Sequence, residues 1–232
     1  MSASEIAARV AEVRARIEAA AVRAGRDPAS VTLVAVGKTK PLEMLLAAYE
    51  AGVRAFGENR VQEAEAKFPR LPGDAARHLI GPIQSNKARR AAALADVVES
   101  VDSIDIARRL ARAAEEKGKR LEVYVEVNVG AEETKAGAAE AELGPLLDAV
   151  RALAALELRG LMAIPPPGDT RPHFVKLRAL AAGHGLSGLS MGMSDDYEAA
   201  VEEGATIVRV GSAIFGARPH VGGVAGGVTS PR

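Results

Sequence analysis

The residues of this chain best equipped for chemistry are Lys38, Arg209 and a small set of serines at Ser190, Ser194 and Ser212. Lys38 ends the stretch V-T-L-V-A-V-G-K inside Val31–Pro41, a β-branched and apolar run with the composition of a strand buried on both faces. The run breaks at Gly37, and Pro41 suits the first turn of a helix, where its missing N–H costs little. A lysine amine held against apolar surface at such a strand end can attack an aldehyde and form a Schiff base. An exposed loop lysine is the competing reading of the same stretch.

Two later stretches have the character of a phosphate cradle. In Ser190-Met191-Gly192-Met193-Ser194-Asp195-Asp196 a strand runs into a helix with hydroxyls on either side of a glycine. Arg209-Val210-Gly211-Ser212-Ala213 is a second strand end with a Gly-Ser turn. Backbone N–H groups at a helix start, with a hydroxyl beside them, bind phosphate; each turn taken alone also fits a simple helix cap. Arg209 sits inside the β-branched run Ile207–Val210, and a buried guanidinium must find an acceptor. It either pairs with a carboxylate such as Glu126 or donates to a ring nitrogen of a bound ligand. A Schiff-base lysine, a phosphate cradle and a ring-nitrogen donor are together what pyridoxal 5′-phosphate requires.

These residues need a scaffold that brings strand ends together. Eight strand candidates begin near Val31, Val53, His78, Asp96, Leu121, Leu156, Leu186 and Thr206, and helical segments separate them. Strict alternation of this kind implies a parallel sheet, and eight units predict an α/β single-domain (β/α)₈ TIM barrel with its strand ends on one mouth. An open doubly wound sheet competes, but no G-x-G-x-x-G turn follows the first strand. An extra N-terminal helix precedes the barrel, started by a capping box of Ser2 and Glu5 and ended at Gly25. The barrel is expected over residues 1–219, with a flexible Gly-rich tail over 220–232.

Composition narrows the function. Lys+Arg and Asp+Glu are both 30, so the net charge is zero and no nucleic-acid partner is expected. Aromatic residues make up only 3%, which weighs against stacking platforms for bases. The basic run Lys87-Ala88-Arg89-Arg90 reads as a solvated helix face. There is no cysteine, hence no thiolate chemistry. No run of 18 apolar residues occurs and no apolar stretch follows Met1, so a cytoplasmic protein without membrane contact is expected. The four histidines, His78, His173, His184 and His220, show no H-x-x-x-H spacing, so no metal site is expected; His78 reads as a hydrogen-bonded wall residue.

Several long motifs then carry a resemblance. V-G-K-T-K-P (Val36–Pro41), F-G-E-N-x-V-Q-E (Phe56–Glu63), H-L-I-G-P-I-Q-S-N-K (His78–Lys87), G-L-M-A-I-P (Gly160–Pro165), S-M-G-M-S-D-D (Ser190–Asp196) and R-V-G-S-A-I-F-G (Arg209–Gly216) resemble the pyridoxal phosphate homeostasis protein family, in the family's order, over Ser4 to Pro219. The resemblance implies an alanine-racemase-like barrel that holds pyridoxal 5′-phosphate as a Schiff base, with no established reaction and a role in cofactor supply. It assigns the aldimine to Lys38 and not to Lys40. It assigns phosphate to Ser190, Ser194, Gly211 and Ser212, and the pyridine nitrogen to Arg209. Asn59 is placed near the cofactor and Met162 on a wall. It also matches Asn128 and Lys135-Ala136-Gly137 to an Asn…Lys-x-Gly stretch. Gly37 and Gly130 depart from the serine common there, and Gly168–Ser190 looks short, so the seventh unit is expected to be trimmed.

Two functions follow from this set. One is a monomeric carrier or regulator of the cofactor, with pyridoxal phosphate-dependent apoenzymes as recipients. The alternative is an amino-acid racemase or related small enzyme, which needs a base on each face of the substrate carbon. Alanine racemases supply a tyrosine from a further domain of a partner subunit. Here Tyr124 precedes Asn128 by four residues, roughly 13 Å below the mouth at about 3.3 Å per residue, and Tyr49 and Tyr197 fall in helices. The carrier is therefore the favoured reading. A Schiff-base aldolase without cofactor would explain Lys38 but leave Arg209 without a role.

Overall fold

Short apolar runs form strands where the flanking segments switch to helical periodicity, and in Thr32–Val36, Val97–Val101, Leu121–Glu126 and Ile207–Val210 β-branched side chains favour the pleated surface. The computed structural model describes residues 1–132 and 136–217. Its strands are β1 (Thr32–Val36), β2 (Ala55–Glu58), β3 (Ala76–Leu79), β4 (Val97–Val101), β5 (Leu121–Glu126), β6 (Leu156–Met162), β7 (Gly188–Ser190) and β8 (Ile207–Val210). They pair in parallel in chain order, and β8 pairs with β1, so the sheet closes into a barrel. The helices are α1 (Ala3–Arg23), α2 (Leu42–Glu50), α3 (Val61–Lys67), α4 (Ala88–Leu94), α5 (Ile104–Glu116), α6 (Glu140–Arg151), α7 (Arg171–Gly183), α8 (Tyr197–Glu202) and the single turn α9 (Ser212–Phe215). This is the (β/α)₈ fold that the strand count predicts. Lys135 and the tail 220–232 lie outside the described residues.

The added helix α1 has a structural task. Its capping box is formed: Ser2 Oγ accepts from Glu5 N at 3.2 Å, and the Glu5 carboxylate accepts from Ser2 N at 2.6 Å. It buries Ile6, Val10, Val13 and Ile17 and packs on α2, α8 and α9, across the seam where β8 meets β1. Arg26 follows it and donates to the carbonyls of Val201 (2.6 Å) and Ala205 (2.9 Å), tying the last unit to the first. Among the described residues no helix is long and apolar enough to cross a membrane.

Boundaries shift where ladder partners run out. The sixth strand ends at Met162, which pairs with Ser190, the last residue of β7. The shortening of the seventh unit falls on β7, only three residues long, while α7 keeps 13.

One large apolar cluster fills the space between strands and helices. A second, smaller one plugs the lower barrel with Val34, Ala55, Val97, Tyr124, Met162 and Ile207. The buried residues also include the polar His78, Glu99, Glu126, Ser190 and Arg209. Barrel interiors are ordinarily layers of branched apolar side chains, and burying charge is costly unless it is paired. This polar layer leads to the site.

Candidate functional site

At the end of β1 the chain makes a tight turn: Lys40 N donates to Gly37 O at 2.9 Å, with Lys38 and Thr39 at the crest. Thr39 has φ 64°, a left-handed conformation that costs an L residue about 1–2 kcal/mol. Its N–H is held by Glu63 Oε2 at 2.8 Å. From below, the Lys67 ammonium donates to Gly37 O (2.8 Å), Glu58 Oε1 (2.8 Å) and Glu63 Oε2 (3.1 Å). A Cβ at Gly37 would lie 2.7 Å from Glu58 Oε1 and 2.8 Å from a Leu45 methyl, so a side chain there would have to displace those two side-chain ends. Burial pushes the Glu58 carboxyl up to about 7, with the Lys67 charge opposing. Lys38 is thus carried on a strained turn braced by a buried ion pair.

The turn opens on a cavity of about 910 Å³ at the carboxyl end of the barrel. Of the eight residues singled out in the sequence, six line it: Lys38, Asn59, Ser194, Arg209, Gly211 and Ser212. Val36 and Ile80 supply apolar wall. Lys40 also reaches it, but its ammonium donates to the carbonyls of Gly216 (2.9 Å) and Ala217 (3.0 Å) and so straps the turn to the chain beyond α9.

On the opposite side two strand-end loops meet. Ser194 Oγ accepts from Gly211 N (3.2 Å) and Ala213 N (3.3 Å), so these N–H groups converge on one point. The Ser190–Asp196 loop turns at Gly192, whose φ of +91° suits glycine and where a Cβ would come 2.5 Å from the Ala200 methyl. Asn59 lines the cavity, and its Oδ1 is buried and lacks a hydrogen-bond partner among the described residues.

Arg209 forms the floor. It is 3% exposed, and it donates through Nη1 to Ser190 Oγ (2.5 Å) and through Nη2 to Ala163 O (2.9 Å). Its carboxylate neighbour by ion pairing is Glu99, at 3.8 Å, and not Glu126, which the sequence offered as one example. Burial lowers the Arg209 pKa, opposed by the charges of Glu99, Glu126 and Asp196. Burial alone would raise Glu99, but the His78 hydrogen bond and the charges of His78 and Arg209 hold it below its ordinary range. Glu126 keeps the effect of burial and is pushed up to about 7, with Arg209 opposing.

Ser190 and Met162 stand below the cavity and do not line it. They are lateral partners on β7 and β6 and both are fully buried. Ser190 Oγ donates to Glu99 Oε2 at 2.6 Å, so its hydroxyl serves the barrel interior and not the cradle. Met162 packs in the lower apolar plug. Asn128 closes its own loop, donating to Glu132 O at 2.8 Å. His78 is hydrogen-bonded, as its position predicted: Nδ1 donates to Glu99 Oε1 at 2.6 Å.

Glu58, Glu63, Lys67 and Glu99 were not singled out from the sequence. Glu99 could have been, because a charge inside the β-branched run Val97–Val101 raises the same question as Arg209. The amino end of the barrel has a cavity too, about 780 Å³, with Arg54, Asp74, Asp96, Glu122 and Tyr124 among its lining.

The family model described as alanine racemase, N-terminal domain, matches residues 9–219. The pyridoxal phosphate homeostasis protein of Pseudomonas aeruginosa is 49% identical over 226 residues, covering 94% of this chain and 97% of that one. The structure of PipY from Synechococcus elongatus PCC7942 with PLP bound is 41% identical with a TM-score of 0.80, covering 91% of this chain and 100% of that chain. Alanine racemase from Corynebacterium glutamicum has a TM-score of 0.70 at 19% identity, covering 94% of this chain and 62% of that chain, a likeness of fold alone. With its barrel, its lysine turn and near full-length relatives of this kind, the chain belongs to the pyridoxal phosphate homeostasis protein family.

Proposed function

We propose that this protein binds pyridoxal 5′-phosphate in the mouth cavity, holds it through a Schiff base on Lys38, and acts as a carrier or regulator of the cofactor. One observation carries the reading: a strand-end lysine, Asn59, a buried guanidinium and the small residues Ser194, Gly211 and Ser212 line one cavity. That donor set fits the group. Ser194, Gly211 and Ser212 take its phosphate, Arg209 donates to the ring nitrogen, and Asn59 accepts beside the ring. When bound, the group supplies an electrophilic carbon and a conjugated ring. Lys40 is a poorer choice for the covalent link, because its ammonium straps the turn to the Gly216 and Ala217 carbonyls.

The placement of the tyrosines supports a carrier over a racemase. Tyr124 lines the amino-end cavity, and burial together with the Glu99 charge pushes its hydroxyl up to about 12. Tyr49 lies on α2 and Tyr197 on α8, and no tyrosine is among the described residues that line the mouth. A second base opposite Lys38 therefore has no candidate of that kind. An arginine at the ring nitrogen also makes the ring a weak electron sink. In this reading the protein works as a cytoplasmic monomer and releases its cofactor to apoenzymes that need it.

The test is the visible spectrum of the purified protein loaded with pyridoxal 5′-phosphate, before and after borohydride. Lys38→Ala is expected to lose the absorbance of the covalent link and Lys40→Ala to keep it. Peptide mass spectrometry that places the reduced pyridoxyl group on Lys40 would overturn the assignment. Racemisation of an L-amino acid at about 1 s⁻¹ or faster, abolished by Lys38→Ala, would overturn the carrier reading.

A further inference from the structure

The barrel interior holds a file of hydrogen bonds that binding at the mouth does not by itself explain. His78 on β3 donates from Nδ1 to Glu99 Oε1 on β4 at 2.6 Å. The other oxygen of that carboxylate, Oε2, accepts from Ser190 Oγ on β7 at 2.6 Å. Ser190 Oγ in turn accepts from Arg209 Nη1 on β8 at 2.5 Å. All four side chains are buried, none more than 3% exposed. His78 borders the amino-end cavity and Arg209 the mouth, so the file runs between the two ends of the barrel.

The direction of each bond follows from donor chemistry. A guanidinium only donates, so the Ser190 oxygen must accept from Arg209 and spend its own hydrogen on Glu99. An ionised carboxylate only accepts, so His78 carries its proton on Nδ1. The order has no slack. Arg209 could otherwise swing toward Glu126, the other buried carboxylate whose charge it feels. Glu99 competes better because His78 and Ser190 hold both of its oxygens, while the Ala163 carbonyl fixes the second guanidinium nitrogen. A planar fork pinned at two nitrogens holds each of its remaining N–H groups in a fixed direction.

We propose that His78, Glu99 and Ser190 are positioning residues that aim Arg209 at the ring nitrogen of the ligand in the mouth. This rests on the reading of the mouth as a pyridoxal phosphate site. A merely structural file would change stability when cut, but would leave recognition of the ring nitrogen untouched.

The experiment uses two probes, pyridoxal 5′-phosphate and its 1-deaza analogue, in which the ring nitrogen is replaced by C–H. Dissociation constants are measured for the wild type, Glu99→Gln, His78→Gln and Ser190→Ala. The wild type should prefer the nitrogen-containing ring by about tenfold, or ~1.4 kcal/mol. Each variant should lose most of that preference while still binding pyridoxal 5′-phosphate more tightly than pyridoxal. Where Glu99→Gln does not fold, Ser190→Ala removes a single oxygen and keeps the test alive. An unchanged preference in folded Ser190→Ala would overturn the proposal. Equal affinity of the wild type for both probes would overturn it too, with the phosphate site intact. A wild type that binds neither probe would sink the reading of the mouth itself.

Discussion

The two ends of the barrel enclose cavities of similar size, about 910 Å³ at the carboxyl end and 780 Å³ at the amino end, but their charges are managed differently. At the amino end the rim charges pair with one another in solvent. Arg54 and Asp74 meet at 3.2 Å with side chains 51% and 61% exposed, and Arg159 meets Glu122 at 2.8 Å. At the carboxyl end the ion pair beneath the lysine turn, Lys67 with Glu58, is 11% and 0% exposed. Above it lie backbone N–H groups that converge and a buried amide oxygen without a partner. Volume therefore does not distinguish the ends; the burial of their polar groups does. Parallel strands make this asymmetry natural, since every strand-to-helix loop falls at the carboxyl end.

The largest effect expected from this contrast concerns phosphate. If the Ser194, Gly211 and Ser212 loops form the cradle, pyridoxal without its phosphate loses several charge-assisted hydrogen bonds of roughly 1.5–3 kcal/mol each. Its affinity should be at least about a hundredfold lower in equilibrium titration. Superimposable titration curves for the two compounds would remove the mouth's claim to be the special end.

Next comes the support of the turn. Lys67→Met leaves Glu58 buried beside apolar groups, and breaking a buried pair in this way costs about 3–5 kcal/mol. Glu58 softens the loss by taking a proton, which its value of about 7 makes easy. Urea unfolding should show a drop near the lower figure, and the Lys38 link should form less completely because Gly37 O loses its donor. A loss no greater than that from cutting an exposed pair at the amino end would put both ends on one footing.

Much of this was legible in the sequence, for physical reasons. Short apolar runs alternating with helical segments are local signals, and the eight strands of the closed barrel follow from them. The lysine turn and the Gly-Ser turn were legible because strand ends in a parallel barrel share a mouth. Orientation was harder. Ser190 reads as a cradle hydroxyl in sequence, yet strand alternation on β7 turns it into the barrel, where Glu99 and Arg209 claim it. Met162, read as a wall residue, packs in the buried apolar cluster, since a strand's last residue can face inward below the mouth. Partner choice was not legible at all. Arg209 has carboxylates on two strands within reach, and only the closed barrel selects Glu99 over Glu126.

A pH measurement sharpens the contrast in buried charge. Glu126 and Glu58 have folded values of about 7 against an ordinary 4.5, so between those limits the folded state holds protons that the unfolded chain has released. Their contribution to stability is full below the unfolded value and is lost as pH rises through about 7, roughly 3 kcal/mol at most for each. Glu99 acts in the opposite sense: its lowered value gives stability that is lost only as pH falls well into the acid range. Urea stability should therefore decline from pH 5 to pH 8, and Glu126→Gln should flatten part of that decline. An unaltered slope in this variant would place the titration elsewhere.

The smallest effect is expected at the amino end, and it is the most direct attempt to break the comparison. Arg54 pairs with Asp74, lies 4.1 Å over the Tyr49 ring and donates to Tyr49 O at 2.9 Å. All of this sits at the surface, where water screens the charges and replaces the hydrogen bonds. Arg54→Ala should lower the melting temperature slightly and leave the spectrum and affinity of bound pyridoxal 5′-phosphate unchanged. His78 borders the same cavity but belongs to the buried file, so His78→Gln should alter recognition of the ring nitrogen while Arg54→Ala does not. The pair of variants separates the rim of the amino end from its floor. If Arg54→Ala moved the cofactor spectrum as far as His78→Gln, the rim would be coupled to the mouth, and the division between a reactive end and a merely paired one would not hold.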